Sequence, residues 1–297
     1  MKILTQAFRF IVFSNIYISL CAATFAAKTF LLLYGNNGDI KVLALIFFAT
    51  MFLYCFHRIY HRNNMLPEER KEERHKWIDK YKVLYYIFTG ISLGISSIMM
   101  FYMPLRVWVL LVPVAVIGFG YSFPFIKTKT GFKRLRDLWW LKVFWIALAY
   151  AWLTTIIPVA YYSPVSKLFD PDVLLVFARS FLFVFALAIP FDIRDLPYDL
   201  RNGMKTLPIV LGIERTIRIT MWALIAFVLL VMLQWQYYHL NAHIATALCI
   251  SAFEAAIVIP LSKPGRPNLF YPLVIETSMI LHWVLIYISV ILPVSLS

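Results

Sequence analysis

Apolar residues in this chain come in long runs, and polar residues are gathered into the short stretches between them. Runs of about 20 residues recur, which is the length a helix needs to cross the hydrocarbon of a bilayer. Nine can be drawn, over residues 9–34, 41–60, 82–103, 105–122, 138–162, 171–191, 216–235, 243–262 and 269–295. The connections are too short for a soluble domain. The pattern therefore predicts an all-α polytopic membrane protein, with residues 1–297 as a single transmembrane domain of nine helices. Helices suit that setting because they satisfy every backbone group internally. The first run has a basic start at Lys2 and Arg9 and small residues at Ala22-Ala23 and Ala26-Ala27. It is longer than the roughly 7–15 residues of a signal-peptide core, so a retained first helix is expected.

Composition agrees. Hydrophobic residues make up 62% of the 297 and charged ones 14%, against about 25% charged in soluble domains. A net charge of +13 need not mean nucleic acid, because cations collect on the cytoplasmic side of membrane proteins. Of the 28 Lys and Arg residues, only Lys28, Lys41, Arg106 and Lys167 fall toward the face opposite the N-terminus, and Arg179 lies within the sixth run. This asymmetry predicts an inner or plasma-membrane protein with a cytoplasmic N-terminus and, after nine spans, a C-terminus on the other side. Cys21, Cys55 and Cys249 all sit in apolar runs and read as small hydrophobes.

The candidate chemistry lies in three connections expected on one face: residues 58–82, 122–137 and 192–215. The first has a helix start at Leu66-Pro67-Glu68-Glu69, where Pro suits the first helical position and acids the first turn. Its acids are interleaved with Arg70, Lys71, Arg74 and Lys76, as on a solvated surface. The second carries Tyr121, then Lys127, Lys129, Lys133, Arg134 and Arg136. Two readings stand for it: an anchor to anionic lipid headgroups, or a clamp on phosphate oxygens. The third carries Asp192, Asp195 and Asp199 with Arg194, Arg201 and Lys205. On a helix the three acids would share a face, although Pro197 could start or kink that helix. Such a face can hold Mg²⁺, a hard ion that takes oxygen ligands and keeps waters and substrate phosphates in its shell. The plainer reading is a salt-bridged loop, Asp192 with Arg194 or Asp199 with Lys205. Gly203 and Thr206-Leu207-Pro208 favour a shaped turn after the acids.

Within the apolar runs Arg179, Glu254 and Glu276 stand out, because ionisable groups there are costly and either serve a site or pair between helices. Glu276 could face an internal cavity, and His282 reads as an interhelical hydrogen bonder.

The stretch from Asp195 to Gly212 resembles the second aspartate motif of the UbiA superfamily of membrane prenyltransferases. That motif has Asp-x-x-x-Asp, three residues, a Gly, a basic residue, Thr or Ser, and a closing apolar-Gly. Here Asp195, Asp199, Gly203, Lys205, Thr206 and Leu211-Gly212 stand in those places. Nine spans with the N-terminus inside and the Tyr121–Lys127 segment also agree with the family. Its first aspartate motif, Asn-Asp-x-x-Asp-x-x-x-Asp at the end of the second span, has no counterpart. Residues 54–64 hold no acid and carry instead His57, Arg58, His61 and Arg62.

The resemblance implies transfer of a prenyl group from an isoprenyl diphosphate to an aromatic or lipid acceptor. It implies Mg²⁺ held by Asp192, Asp195 and Asp199, which are also the catalytic residues. Arg58, Arg62, Tyr121, Lys127, Lys133, Arg134, Arg201 and Lys205 would then bind substrate. Tyr54, Tyr121 and Tyr198 could face the prenyl cation. His57 and His61 also have a spacing that could bind a transition metal. The rival expectation is a non-catalytic subunit or lipid-binding assembly partner on the same fold. A transporter fits less well, since the acids gather at one membrane face and not at the midplane.

Overall fold

A computed structural model of the chain describes residues 2–62, 73–123, 126–128, 131–135, 141–201 and 203–295. Side chains of residues 2–5, 61–62, 73–75, 126, 128, 131–133 and 292–295 are outside that description. Among the described residues, nine helices are long and apolar enough to cross a membrane. The chain is an integral membrane protein.

The first apolar run is not one helix. It is split into α1 (Lys2–Phe13) and α2 (Ile16–Tyr34), of which only α2 is of spanning length. The break falls at Ser14-Asn15, where Asn15 takes the left-handed conformation with φ 69°. Asn visits that region more readily than most residues because its short side chain can bond locally. α1 then packs through Phe10 and Phe13 against Trp77 of α4 (Glu73–Lys80). The helix start expected at residues 66–69 lies outside the described residues.

Next come α3 (Ile40–Arg62), α5 (Lys82–Phe101) and α6 (Leu105–Ser122). The connection after α6 holds a small antiparallel ribbon, β1 (Ile126–Thr128) with β2 (Gly131–Lys133), Ile126 facing Lys133. The fifth span starts as α7 (Leu141–Ala151), passes through a π-helical turn at Trp152–Ile156, and ends as α8 (Ile157–Tyr162). The sixth is α9 (Pro171–Arg201), a continuous helix of 31 residues. A short α10 (Leu207–Leu211) leads to α11 (Ile213–Tyr237) and α12 (Ala242–Val258). The last span opens with a π-helical turn at Tyr271–Glu276 and continues as α13 (Thr277–Ser295).

The spans form a closed ring. α2 packs on α3, α3 on α5 and α6, α6 on α8, α7 on α9, α9 on α11, α11 on α12, α12 on α13, and α13 returns to α2. The first and fifth spans are the best enclosed: 67% of the window in Ile16–Tyr34 and in Leu141–Tyr162 is buried, against 11% in Lys82–Phe101. α5 and α6 therefore turn Ile87, Ile91, Ile98, Val109, Val112 and Val116 outward, an exposure that suits lipid. At the middle of the ring Phe25, Phe183 and Phe227 pack around His282.

Candidate functional site

The sixth span does not stop at residue 191. α9 continues through the acidic stretch to Arg201, with Pro190 and Pro197 inside it. Each proline lacks the amide that would bond four residues back, yet the helix carries on past both. Asp192, Asp195 and Asp199 therefore share one face. α9 ends where Gly203 adopts φ 64° and the Met204 amide donates to the Asp199 carbonyl at 2.9 Å. That is a left-handed helix cap, which glycine enters without steric cost.

This face of α9 borders a cavity of about 560 Å³. The wall is completed by the junction of α1 and α2 (Asn15, Ile18), the last turns of α3 (Tyr54, His57, Arg58) and the end of α6 (Tyr121). Arg134, Lys142 and Tyr150 close it from the fifth-span side, and Asn268 and Glu276 from the last span. Three helix ends, two connections and a π-helical turn thus meet around one void.

The acids have partners, but not those expected from the sequence. Asp192 Oδ1 lies 2.6 Å from Lys142 Nζ, and the carboxylate is almost wholly buried. Asp195 takes two hydrogen bonds from Arg194, at 2.7 and 3.0 Å. This forked geometry suits a guanidinium on a carboxylate. Arg194 also stacks on Phe191 and Tyr271. Asp199 is 2% exposed and lines the cavity.

A divalent cation can be tested against this donor set. Asp192 Oδ2 is buried and accepts no hydrogen bond from the described residues, which is costly unless something occupies its lone pairs. It sits beside two further carboxylates on the same helix face. Among the described residues, however, no three His, Cys, Asp or Glu side chains converge tightly enough to hold a metal alone. The residues fit one Mg²⁺ that completes its shell with waters and phosphate oxygens, as this ion commonly does. They do not fit a two-metal cage, because α3 contributes His57 and Arg58 where a second set of acids would stand.

Of the other sequence-predicted groups, Arg58, Tyr121 and Arg134 reach the cavity wall, as do the candidate cation-facing Tyr54 and Tyr198. Arg201 and Lys205 are exposed and do not line it; Arg201 Nε donates to the Pro197 carbonyl at 2.9 Å. Lys127 is exposed on β1. The side chains of Arg62, His61 and Lys133 lie outside the described residues. His57 Nε2 hydrogen-bonds the Gly118 carbonyl at 2.9 Å, so that nitrogen ties α3 to α6.

Lys142 and Asn15 are not among the site residues expected from the sequence, and Arg194, expected on Asp192, pairs with Asp195 instead. Lys142 sits in Trp139-Trp140-Leu141-Lys142-Val143-Phe144-Trp145, which reads as an interfacial anchor at the start of a span. For Asn15 a signal existed: Ser14-Asn15 is a polar pair inside an apolar run.

A second polar group lies elsewhere in the bundle, among packed side chains. Lys28 donates to Ser180 Oγ, which is 3.1 Å from Thr155 Oγ1. Arg179 is 2% exposed, and its Nη1 and Nη2 have no hydrogen-bond partner among the described residues. His282 Nδ1 is 2.8 Å from Ser251 Oγ, and Glu254 accepts from Ser278 at 3.2 Å.

The sequence profile of the UbiA prenyltransferase family matches residues 81–292. No curated protein sequence matches the chain. Among solved structures, the apo form of a UbiA homolog from Aeropyrum pernix K1 superposes with a TM-score of 0.67 at 15% identity, over 94% of this chain and 98% of that one. A UbiA homolog from Archaeoglobus fulgidus, bound to GPP and Mg²⁺, gives 0.65 at 13% identity, over 95% and 99%. A digeranylgeranylglyceryl phosphate synthase gives 0.55 at 16% identity, over 94% and 97%. At these identities the likeness is one of fold.

Proposed function

This chain belongs to the UbiA prenyltransferase family, and from that premise we propose that it moves a prenyl group from an isoprenyl diphosphate to an aromatic or lipid acceptor within the membrane. The observation that carries the reading is the cavity itself. It is walled by three acids of one helix, by the cations Arg58, Arg134, Lys142 and Arg194, and by Tyr54, Tyr121 and Tyr198. That a fold relative binds GPP and Mg²⁺ supports it.

Ionisation of the allylic C–O bond leaves negative charge on diphosphate and positive charge on the prenyl carbon. Preorganised cations lower that barrier because they meet charge as it develops. Asp192, Asp195 and Asp199 would hold Mg²⁺, which when bound supplies further neutralisation of the leaving group. Arg58 and Arg134 bind phosphate oxygens directly. Lys142 and Arg194 hold Asp192 and Asp195 in place until the ligand arrives. Tyrosine faces stabilise the prenyl cation. Arg58 thus supplies from α3 the positive charge that a metal would otherwise bring there. The excess of Lys and Arg near the N-terminal face supports an inner or plasma-membrane location with the site and the N-terminus cytoplasmic.

One observation favours a second reading. Two of the three acids are already paired with internal cations, as they would be in a non-catalytic lipid-binding partner. The deciding experiment is transfer from radiolabelled prenyl diphosphate in membranes, with a panel of aromatic and lipid acceptors and Mg²⁺ varied. Mg²⁺-dependent transfer is expected. If prenyl diphosphate fails to bind at every Mg²⁺ level, the enzymatic reading fails and the non-catalytic one replaces it.

A further inference from the structure

The last span brings a fourth carboxylate to the cavity from a different wall. Glu276 closes the π-helical turn Tyr271–Glu276, which has Pro272 at its second position. A π turn spends an extra residue per turn and so re-aims the side chains that follow; such turns gather at functional sites. Thr277 fixes the return to α-helix, donating to the Leu273 carbonyl at 2.7 Å.

Glu276 lines the cavity, yet makes no hydrogen bond or ion pair with any described residue. An intramembrane carboxylate without such a partner is costly and points to a role. Around it stand Tyr17 and Cys21 on α2, Tyr54 and Arg58 on α3, Tyr150 on α7 and Arg194 on α9. Arg194 is engaged by Asp195. The hydroxyls of Tyr54 and Tyr150 lie 3.2 Å from each other. The same cavity is lined by the apolar Ile18 and Met279 and by the polar Asn15 and Asn268.

We propose that Glu276 is the catalytic group on the acceptor side: it binds the acceptor's hydroxyl and takes its proton, and the acceptor is therefore a neutral hydroxylated molecule. This rests on the prenyl-transfer reading of the cavity. In the step, the C1–O bond of the prenyl diphosphate breaks and its electron pair leaves on diphosphate. The acceptor O–H bond breaks, its proton passes to the Glu276 carboxylate, and the freed electron pair forms the new bond to C1, at the oxygen or through an aromatic ring conjugated to it. An acceptor bearing a carboxylate or phosphate at this position would be repelled by Glu276 and has no proton to give it.

The test uses the full chain in proteoliposomes with radiolabelled geranylgeranyl diphosphate. The acceptors are matched pairs: a long-chain 4-alkylphenol against the 4-alkylbenzoate, and a long-chain alcohol against its phosphate ester. Label should move to the hydroxylated member of a pair. E276Q should lower transfer at least 100-fold while prenyl diphosphate affinity stays within twofold, and E276D, which keeps the carboxylate, should recover part of the rate. Thermal unfolding of both variants reports on folding. Wild-type transfer by E276Q overturns the proposal. So does loss of diphosphate binding in folded E276Q, which would place Glu276 with the phosphate-binding groups. Label on the charged acceptors, or on none although diphosphate binds, also overturns it. If the wild type does not bind prenyl diphosphate, the family-based reading beneath it fails instead.

Discussion

Two polar clusters described above lie inside this apolar bundle, and one of them borders a cavity. The cluster of Arg58, Lys142, Asp192, Asp195, Asp199 and Glu276 mixes both charges around a cavity of about 560 Å³. The cluster of Lys28, Thr155, Arg179, Ser180, Ser251 and His282 contains two cations, and its members are packed shut. Both would be flagged by the rule that charge inside a membrane means function. The contrast shows that the rule is incomplete. A charge beside a void can be answered by a ligand, whereas a charge in close packing depends on its packed neighbours, as Lys28 depends on Ser180 and the Phe25 ring.

The sharpest way to break this contrast is to remove one side of the cavity's buried ion pair. Asp192→Ala strands Lys142, and losing one partner of a buried pair costs about 3–5 kcal/mol. Thermal unfolding should register that loss. Asp192→Leu combined with Lys142→Met should recover most of the stability, since no charge is left unpaired, while prenyl diphosphate binding stays weak. Recovery of binding along with stability would mean the pair is only structural.

Next in size is the ligand's own contact. Arg58→Ala should weaken prenyl diphosphate binding by on the order of 2–5 kcal/mol, which is more than tenfold in an equilibrium binding titration, with thermal stability little changed. Equal losses in stability and affinity would make Arg58 a packing residue.

The packed cluster should respond in the opposite direction. Arg179→Leu removes a buried cation whose Nη atoms have no hydrogen-bond partner among the described residues. Replacing buried charge by an apolar side chain is often neutral or stabilising by about 1–4 kcal/mol. An unfolding midpoint that holds or rises, with unchanged prenyl transfer, is expected. A variant that folds but loses transfer would erase the distinction between the two clusters.

The smallest effect is expected at Arg201, exposed and bonded to the Pro197 carbonyl of its own helix. Arg201→Ala should change stability and diphosphate affinity by less than about 0.5 kcal/mol. A tenfold affinity loss would bring the end of α9 into the binding site.

The spans were legible because apolar runs of bilayer length have few other uses. The break between α1 and α2 is harder to see, since it rests on one left-handed residue, Asn15, and its only mark is the short polar pair Ser14-Asn15 within an apolar run. The acids of α9 were expected on a common face, but in a connection; Pro197 argued against helix, and burial of Asp192 and Asp199 against the bundle outweighs it. Lys142 escaped notice because a lysine between tryptophans at a span boundary has the look of an anchor, and only its distance to Asp192 shows otherwise. Glu276 was noticed as a lone acid in an apolar run. That a π turn carries it could not be read from composition, because π turns arise from register within the packed bundle. The void, the feature that separates the two clusters, belongs to the packing of segments far apart in the sequence and has no local signature.

The length of α9 has a consequence for where the chemistry sits in the bilayer. At 1.5 Å per residue its 31 residues span about 46 Å, while the hydrocarbon is about 30 Å thick. Tilt absorbs part of that excess, and because the acids are gathered at the C-terminal end of α9, the rest would carry the last turns, with Asp195 and Asp199, toward the depth of the headgroups. A substrate with a charged head and an oily tail then never has to leave its natural orientation among the lipids. The helix acts as a depth gauge, and thickening the bilayer with longer acyl chains should draw the acids below the water line and slow turnover with no change in the protein at all.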